Sequence, residues 1–474
     1  MISFKKRSRN DLLGWPVVGL FFHNRYVIFA VRLLVLGLFG YGIYLGLVVP
    51  DKSNSYTPAL FWGLFWSLFI VVSLSTLGRV FCGICPHAWI GQYLTRWGLK
   101  MTMPNWMQNR YIGIMLLFIG WWATYYAYSQ WLKTPFATAL FFAIMTGVAW
   151  LFFFLYKDMS YCKSLCPIGS MMRAFGRMSF GWLGTYKEEC TSCKTFSCAS
   201  ACPSNLKPFT FDTKKSMGDC TLCMECTTAC EGVNFRLVAP SSSLFSKFTY
   251  AKVEVWVYML ITAAIPLSMG FHHALGRTSI AESFIWSQSA QWVSARIDVG
   301  SMDIVGLFAF IYATIFAIGS VYIGMFLASK ALRVGFEKTF YTLGYAFAPL
   351  FLIGGMSHLL ETFFLHKYSD IANGFIYGFG LPWESVMPLA ARGDTWLHLF
   401  KVLPYIATAW AVAILVKRAG MLTQSRWRKS VAVVLGGSLI WLYIGTTLYT
   451  GYVFKTYGAS KTHAHATHTL SHAK

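Results

Sequence analysis

About nine stretches of roughly 20 mostly apolar residues constrain the fold of this chain more than any other feature. An α-helix needs about that length to cross the hydrocarbon core of a bilayer. Only 12% of the residues are charged and 56% are hydrophobic, whereas about 25% of a soluble domain is charged. The sequence therefore predicts an all-α polytopic membrane protein. The stretches are 26–50, 58–79, 111–132, 136–156, 252–275, 303–329, 339–365, 396–416 and 430–454.

The distribution of basic residues predicts an orientation in the membrane. The formal net charge of +22 would suggest a nucleic-acid partner in a soluble protein. Here Lys and Arg concentrate in alternate polar segments, as they do in cytoplasmic loops. We therefore expect a bacterial inner-membrane protein with a cytoplasmic N-terminus and a periplasmic C-terminus, and no nucleic-acid partner. The basic start leads into a long apolar run without a small-residue cleavage site, which predicts a retained first helix.

The order of apolar and polar segments predicts four modules. They are an N-terminal four-helix membrane module (1–156), an inserted cytoplasmic ferredoxin-like module (157–250), a C-terminal five-helix membrane module (251–455) and a His-rich periplasmic tail (456–474). All twelve cysteines then fall on the cytoplasmic side. Because that compartment is reducing, metal binding is favoured over disulfides.

Two cysteine runs in the polar segment have the spacing of a two-cluster ferredoxin. In such proteins the fourth cysteine of each run ligates the other [4Fe–4S] cluster. A pair of four-thiolate zinc sites is the weaker alternative, because zinc sites rarely use the C-x2-C-x2-C triple. The predicted ligands of the first cluster are Cys190, Cys193, Cys198 and Cys230, and those of the second are Cys220, Cys223, Cys226 and Cys202.

Four more cysteines form two pairs, each followed by proline. Cys82 and Cys85 follow the second apolar stretch, and Cys162 and Cys166 follow the fourth. Since both pairs emerge at the same predicted membrane face, they can meet. Three interpretations stay open: a third metal centre or cluster, redox-active dithiols, and reduced structural cysteines.

These motifs together resemble the NapH/NosR family of membrane polyferredoxins over about residues 20–240. The family's C-x3-C-P motif fits Cys162 and Cys166, whereas the Cys82/Cys85 pair is one residue shorter. NapH-type proteins are membrane quinol dehydrogenases that serve periplasmic nitrate reductase, and NosR-type proteins support nitrous oxide reduction. The run from Arg79 to Gly83 also resembles the first motif of the oxidase accessory protein CcoG. The resemblance implies two [4Fe–4S] clusters and a quinol-linked electron carrier.

The five-helix module contains ionisable residues, which are costly in lipid and therefore candidates for function. They would form a quinol site or bind haem b, or they are interfacial histidines with a structural ion pair. For His272 and His273 alone, the structural interpretation is favoured. The residues are His358, Glu361 and His398, with Lys401 beside them, and His272 and His273.

Two further segments suggest contacts outside the membrane. The stretch 277–302 is predicted to be an interfacial amphipathic segment that docks a periplasmic partner. The favoured interpretation of the tail is a solvated polar segment, and the alternative is chelation of copper or zinc. Its histidines are His463, His465, His468 and His472.

The sequence thus predicts an electron-transfer protein. It leaves open whether the chain is itself an enzyme, and the candidate is a quinol dehydrogenase (oxidoreductase) subunit. Electrons would pass between the quinone pool, or a cytoplasmic donor, and a periplasmic reductase, its maturation system or a cytochrome c partner. The rival prediction is a copper-assembly or metal-reducing accessory protein. Neither a Rossmann fingerprint nor a P-loop occurs in the sequence, so nicotinamide or ATP chemistry is not indicated.

Overall fold

The computed structural model describes residues 8–191, 193–211 and 217–460. Two compact units are present, and both are discontinuous in sequence. The first comprises Met1–Met115, Lys133–Thr249 and Leu359–Asp394, and the second comprises Leu116–Leu132, Tyr250–His358 and Thr395–Lys474. This division differs from the four consecutive modules expected from the sequence.

Seven helices are long and apolar enough to cross a membrane in the described part of the chain. An eighth candidate is a pair of helices, Arg426–Gly436 and Ser438–Tyr457, bent by 52° at Gly437. The stretch predicted at 111–132 forms a shorter apolar helix, Tyr111–Ala127, because the backbone leaves helical geometry at Tyr128. The seven are Arg25–Val48, Tyr56–Leu77, Pro135–Leu155, Lys252–Arg277, Ile304–Leu332, Phe336–Gly378 and Thr395–Ala419.

Small residues let the helices of the first unit approach closely. A Cβ atom on Gly42 would lie 2.6 Å from the Leu60 side chain. On Gly374 it would lie 2.4 Å from the Ala59 Cβ atom, where the helix Tyr368–Gly378 packs on the helix that begins at Tyr56. Close backbone approach at small residues is a common basis of packing between membrane helices. It explains why Leu359–Asp394 belongs to the first unit.

A two-stranded antiparallel sheet holds the two ends of the cysteine-rich segment together. Strand β1 (Gly181–Thr185) pairs with strand β2 (Val233–Leu237), with Leu183 opposite Phe235. The fully buried Asp11 carboxylate accepts hydrogen bonds from the Phe235 N–H and the Tyr186 hydroxyl. The start of the described chain is therefore fastened to the same sheet.

Seven short helices carry or adjoin the cysteines of the first unit. The shortest of them have only four or five residues, about one helical turn. Such short helices depend on packing rather than on intrinsic helix propensity. They are Val80–Ile84, Pro86–Trp97, Tyr161–Leu165, Pro167–Phe175, Lys187–Thr191, Ser197–Ser200 and Glu225–Ala229.

The predicted amphipathic segment of the second unit contains the helix Ile285–Ser294. It packs against the long helix Ile304–Leu332 and buries Trp286 and Ala290, while Trp292 is exposed. Its two faces thus differ in burial as expected. Docking of a periplasmic partner there stays a prediction.

Candidate iron–sulfur centres

The structure divides the eight cysteines of the two runs into two groups of four. The Cys198 thiol lies in electrostatic range of Cys230, Cys190 and Cys193. We call these four residues ferredoxin site 1. The Cys226 thiol lies in electrostatic range of Cys220, Cys223 and Cys202, and these four form ferredoxin site 2. Each group combines three cysteines of one run with the last cysteine of the other, which is the arrangement that crossed ligation requires.

Left-handed residues turn the backbone around both sites. Phe196 (φ 47°) precedes the helix Ser197–Ser200, and Met224 (φ 61°) precedes Glu225–Ala229. Such conformations are costly for non-glycine residues and persist where the surrounding structure requires them. The resulting turns bring both short helices, each with a ligand cysteine, against one another.

Backbone N–H groups point at the sulfur atoms of ferredoxin site 2. The Leu222 N–H donates to Cys220 Sγ, and the Leu206 N–H donates to Cys202 Sγ, both at 3.4 Å. Hydrogen bonds of this kind stabilise thiolates and set the reduction potential of iron–sulfur clusters. The local backbone thus suits thiolates rather than neutral thiols.

Ferredoxin site 2 surrounds a cavity, and its environment is drier than that of site 1. All four of its cysteines line one pocket, together with apolar side chains such as Leu183 and Phe211. In ferredoxin site 1, Phe196 next to the ligand loop is 48% exposed. The Phe196 N–H and the Thr195 hydroxyl lower the pKa of Cys193. Site 1 is therefore the more exposed of the two sites.

The two Cys-Pro pairs, which are distant in sequence, meet in a third group of four thiols. Cys162 lies in electrostatic range of Cys166, Cys82 and Cys85, and Cys85 lies in range of Cys82 and Cys166. We call these four residues the Cys-Pro site. The sequence predicted that the pairs can meet, and the structure brings them together.

Each pair ends at the start of a helix that begins with proline. Cys85 precedes Pro86–Trp97, and Cys166 precedes Pro167–Phe175. Proline is favoured at this position because its missing N–H would have no helical partner. The next N–H groups of each helix turn towards the sulfur, as in the 3.3 Å contact from Gly169 to Cys166 Sγ. The positive end of each helix dipole adds to this stabilisation of a thiolate.

The protonation chemistry of the Cys-Pro site fits metal binding. Burial, with a contribution from neighbouring thiols, raises the pKa of Cys85 to about 12 and that of Cys166 to about 11. Thiols with a raised pKa lose their protons at neutral pH when a cationic centre binds them. In the described residues, no three His, Cys, Asp or Glu side chains converge on a single metal ion. A cubane offers each thiolate its own iron, so four thiolates need not converge on one point.

The predicted quinol or haem residues differ in burial. His358 and His398 are exposed and Glu361 is half-buried. His463, His465, His468 and His472 lie outside the described residues.

A histidine–carboxylate pair in the second unit is a feature that the sequence interpretation missed. His272 Nε2 lies 3.0 Å from Asp303 Oδ2, and the Gly306 N–H donates to Asp303 Oδ1. The neighbouring His273 ring is 4.7 Å from the His272 ring. The signal in the sequence was an aspartate directly before an apolar helix, which is a typical helix N-cap.

A second missed residue is His87, which is buried beside the Cys-Pro site. Its Nε2 lies 2.8 Å from the Thr146 hydroxyl oxygen. Because that hydroxyl donates its hydrogen to the Phe142 carbonyl, the histidine must be the donor in the first contact. Burial lowers the pKa of His87 to about 4, so the imidazole is neutral at physiological pH. The pattern Cys-Pro-His could have drawn attention to it.

Comparisons with known proteins agree with an iron–sulfur assignment. The family described as a 4Fe-4S binding domain matches residues 58–101 and 138–185, two segments that contain the Cys-Pro pairs. Together with the apolar helices, this match defines the chain as a membrane protein with a 4Fe-4S binding domain. The chain is also similar to the uncharacterized protein MJ0749 of Methanocaldococcus jannaschii, with 24% identity over 217 residues, 43% of this chain and 80% of the relative. No solved structure matches.

Proposed function

We propose that this protein is a membrane-bound electron carrier that holds a [4Fe–4S] cluster at each of its three four-cysteine sites. It passes electrons between the quinone pool, or a cytoplasmic donor, and a periplasmic respiratory reductase, as the NapH/NosR resemblance implies. One observation carries this proposal: all twelve cysteines fold into three groups of four. When bound, such clusters supply one-electron redox chemistry.

The Cys-Pro site suits a cluster better than a pair of redox-active dithiols. A reactive dithiol needs a thiol of lowered pKa that is accessible to its substrate. Here the pKa of Cys85 and of Cys166 is raised to about 12 and about 11. The two pairs also share one location instead of forming separate dithiols. Both features support four ligands around a common centre.

Two locations are candidates for quinol binding. The first is the neighbourhood of the Cys-Pro site, where His87 supplies a buried neutral imidazole beside a ligand loop. The second is the predicted group of His358, Glu361 and His398. We favour the first location. There His87, which would accept a hydrogen bond from the quinol hydroxyl, and the Cys-Pro site, which would accept the electrons, belong to the same unit.

The protein's own groups have three tasks in this function. The thiols hold the clusters, the N–H groups directed at sulfur set their potentials, and the apolar lining of ferredoxin site 2 keeps water away. Oxidation of a quinol would release two protons and two electrons. The imidazole of His87 would accept the protons one at a time and pass them to solvent, and bound clusters would take the electrons one at a time.

Anaerobic purification of the full chain with iron and sulfide analysis tests the proposal. Three cubanes require about twelve iron and twelve sulfide per chain. Optical and EPR spectra before and after addition of a reduced quinone analogue report whether quinol reduces the centres. Stoichiometric zinc or copper in place of iron would reject the proposal and favour the metal-assembly alternative. Centres that stay oxidised with quinol but are reduced by dithionite would reject the quinone step alone.

A further inference from the structure

Two buried arginines connect the Cys-Pro site to ferredoxin site 2. Arg32 is 5% exposed and Arg79 is 2% exposed. Taking a guanidinium out of water costs several kcal/mol unless compensating interactions form. Each side chain contacts one cysteine loop of the Cys-Pro site and one of ferredoxin site 2. The interactions that compensate its burial therefore lie where the two sites meet.

Arg32 joins the two loops through their carbonyl groups. Its Nε–H donates to the Gly83 carbonyl at 3.0 Å, and Nη2 donates to the Cys223 carbonyl at 2.7 Å. Gly83 lies between the two cysteines of the first Cys-Pro pair, and Cys223 belongs to ferredoxin site 2. Arg32 Nη1 also lies 3.3 Å from a carboxylate oxygen of the partly exposed Glu225.

Arg79 makes the corresponding connection from the other side. Its Nη2 lies 3.8 Å from Cys82 Sγ, and its Nη1 donates to the Gly218 carbonyl, two residues before Cys220. The neighbouring Asp219 carboxylate already has two other arginine partners, Arg173 and Arg110. Asp219 also lies in electrostatic range of Arg79, so its negative charge is shared among these three arginines.

The two loops touch backbone to backbone at this junction. A Cβ atom on Gly83 would lie only 2.5 Å from the Leu222 carbonyl oxygen, and Leu222 lies between Cys220 and Cys223. Leu222 itself adopts a left-handed conformation (φ 51°), which turns this carbonyl out of the ferredoxin loop. Glycine is thus the residue that allows the contact.

We infer that Arg32 and Arg79 are positioning residues of an electron-transfer junction between the Cys-Pro site and ferredoxin site 2. They hold the two cysteine loops in contact and stabilise the reduced state on both sides. A cubane with four thiolates is anionic and gains one more negative charge on reduction. A buried cation nearby stabilises that added charge strongly. This inference rests on the proposed function, because it requires a redox centre at both sites.

The junction also sets an order for the three sites. Ferredoxin site 2 contacts the Cys-Pro site through Gly83 and Leu222, and it contacts site 1 through Cys226, whose neighbours include Cys198. Site 2 is thus the middle member of the series. Electrons that pass between the Cys-Pro site and the more exposed site 1 go through it in either direction.

Redox titration monitored by EPR on the anaerobically purified full chain tests this inference. In R79Q we expect the midpoint potential of the Cys-Pro site to fall by about 59 mV or more, a tenfold change in the equilibrium of a one-electron couple. R79K keeps the charge and should restore most of the shift. In R32Q the magnetic interaction between the reduced Cys-Pro site and ferredoxin site 2 should weaken, because the loops are no longer joined. R110Q removes an exposed partner of the same carboxylate and should leave the potentials nearly unchanged.

The outcomes separate the inference from the proposed function. Wild-type protein with iron for only two clusters rejects the third centre, and with it the function proposed for the Cys-Pro site. Full iron content in R79Q and R32Q with unchanged potentials and magnetic interaction overturns the inference alone. If R79Q does not assemble its clusters, D219N tests the same electrostatic effect with the opposite direction of shift in the midpoint potentials. Loss of that carboxylate should raise the potentials, and an unchanged potential would contradict the electrostatic role.

Discussion

Cys85 and Cys166 occupy the same position in two helices that lie far apart in the sequence. Each is the last residue before a helix that begins with proline, and each receives N–H groups of the first helical turn at its sulfur. The first pair is one residue shorter than the second, yet this does not alter the position of its final thiol. What the two pairs share is the Cys-Pro helix start rather than the spacing alone.

Removal of one thiol from this position should remove one centre and leave the other two. We expect C166S to lose about four iron atoms per chain while the spectra of both ferredoxin sites persist, because serine is a poor ligand for iron in a cubane. Iron analysis and EPR on anaerobically prepared protein measure this. S164A, in the same loop, is the matched control and should keep its iron. Unchanged iron in C166S would show that the Cys-Pro site holds no cluster.

Alanine at Gly83 should disturb the contact between the two loops. The added methyl group would meet the Leu222 carbonyl oxygen at 2.5 Å, and neither backbone can yield without moving a ligand cysteine. We expect a loss of about 1–3 kcal/mol in the free energy of unfolding and altered EPR signals from both sites. G176A is the control, since a Cβ atom there has no atom within 4 Å. Equal stability of the two variants would contradict the close approach.

The thiols of the metal-free protein should become reactive at very different pH values. The thiolate is the reactive form, so a lowered pKa shifts reactivity to lower pH and a raised pKa shifts it upward. Cys193 has a lowered pKa because the Phe196 N–H and the Thr195 hydroxyl stabilise its thiolate, whereas burial raises the pKa of Cys166 to about 11. Alkylation with iodoacetamide across pH 6–9, followed by peptide mass spectrometry, should label Cys193 first. Equal labelling of both cysteines at pH 7 would refute these environments.

The His272–Asp303 pair should contribute to the stability of the second unit. In D303N an asparagine still caps the helix that follows, but it cannot accept a charge-assisted hydrogen bond from His272. We expect a loss of about 1–2 kcal/mol in the free energy of unfolding in detergent. D298N alters an exposed carboxylate that accepts a hydrogen bond from the Gly300 N–H, and it should have a smaller effect. A smaller loss in D303N than in D298N would speak against the pair.

The features that depend on short stretches of sequence were predictable. Apolar stretches of membrane-spanning length indicated most of the long helices, because burial in lipid requires nearly every residue of a span to be apolar. The match to a 4Fe-4S binding domain agrees with the iron–sulfur interpretation of the cysteines. The ligand assignment of the eight ferredoxin cysteines stays a prediction, although the structure groups them as crossed ligation requires.

The sequence by itself determined most of the long apolar helices and the cysteine spacings, because hydropathy and loop length are properties of neighbouring residues. Only the tertiary structure decided that the two Cys-Pro pairs share one site, that Arg32 reaches both Gly83 and Cys223, and that Leu359–Asp394 belongs to the first unit. Contacts between residues so distant in the chain follow from how helices pack. That packing depends on the shape of many side chains at once, such as the space at Gly374 and Ala59.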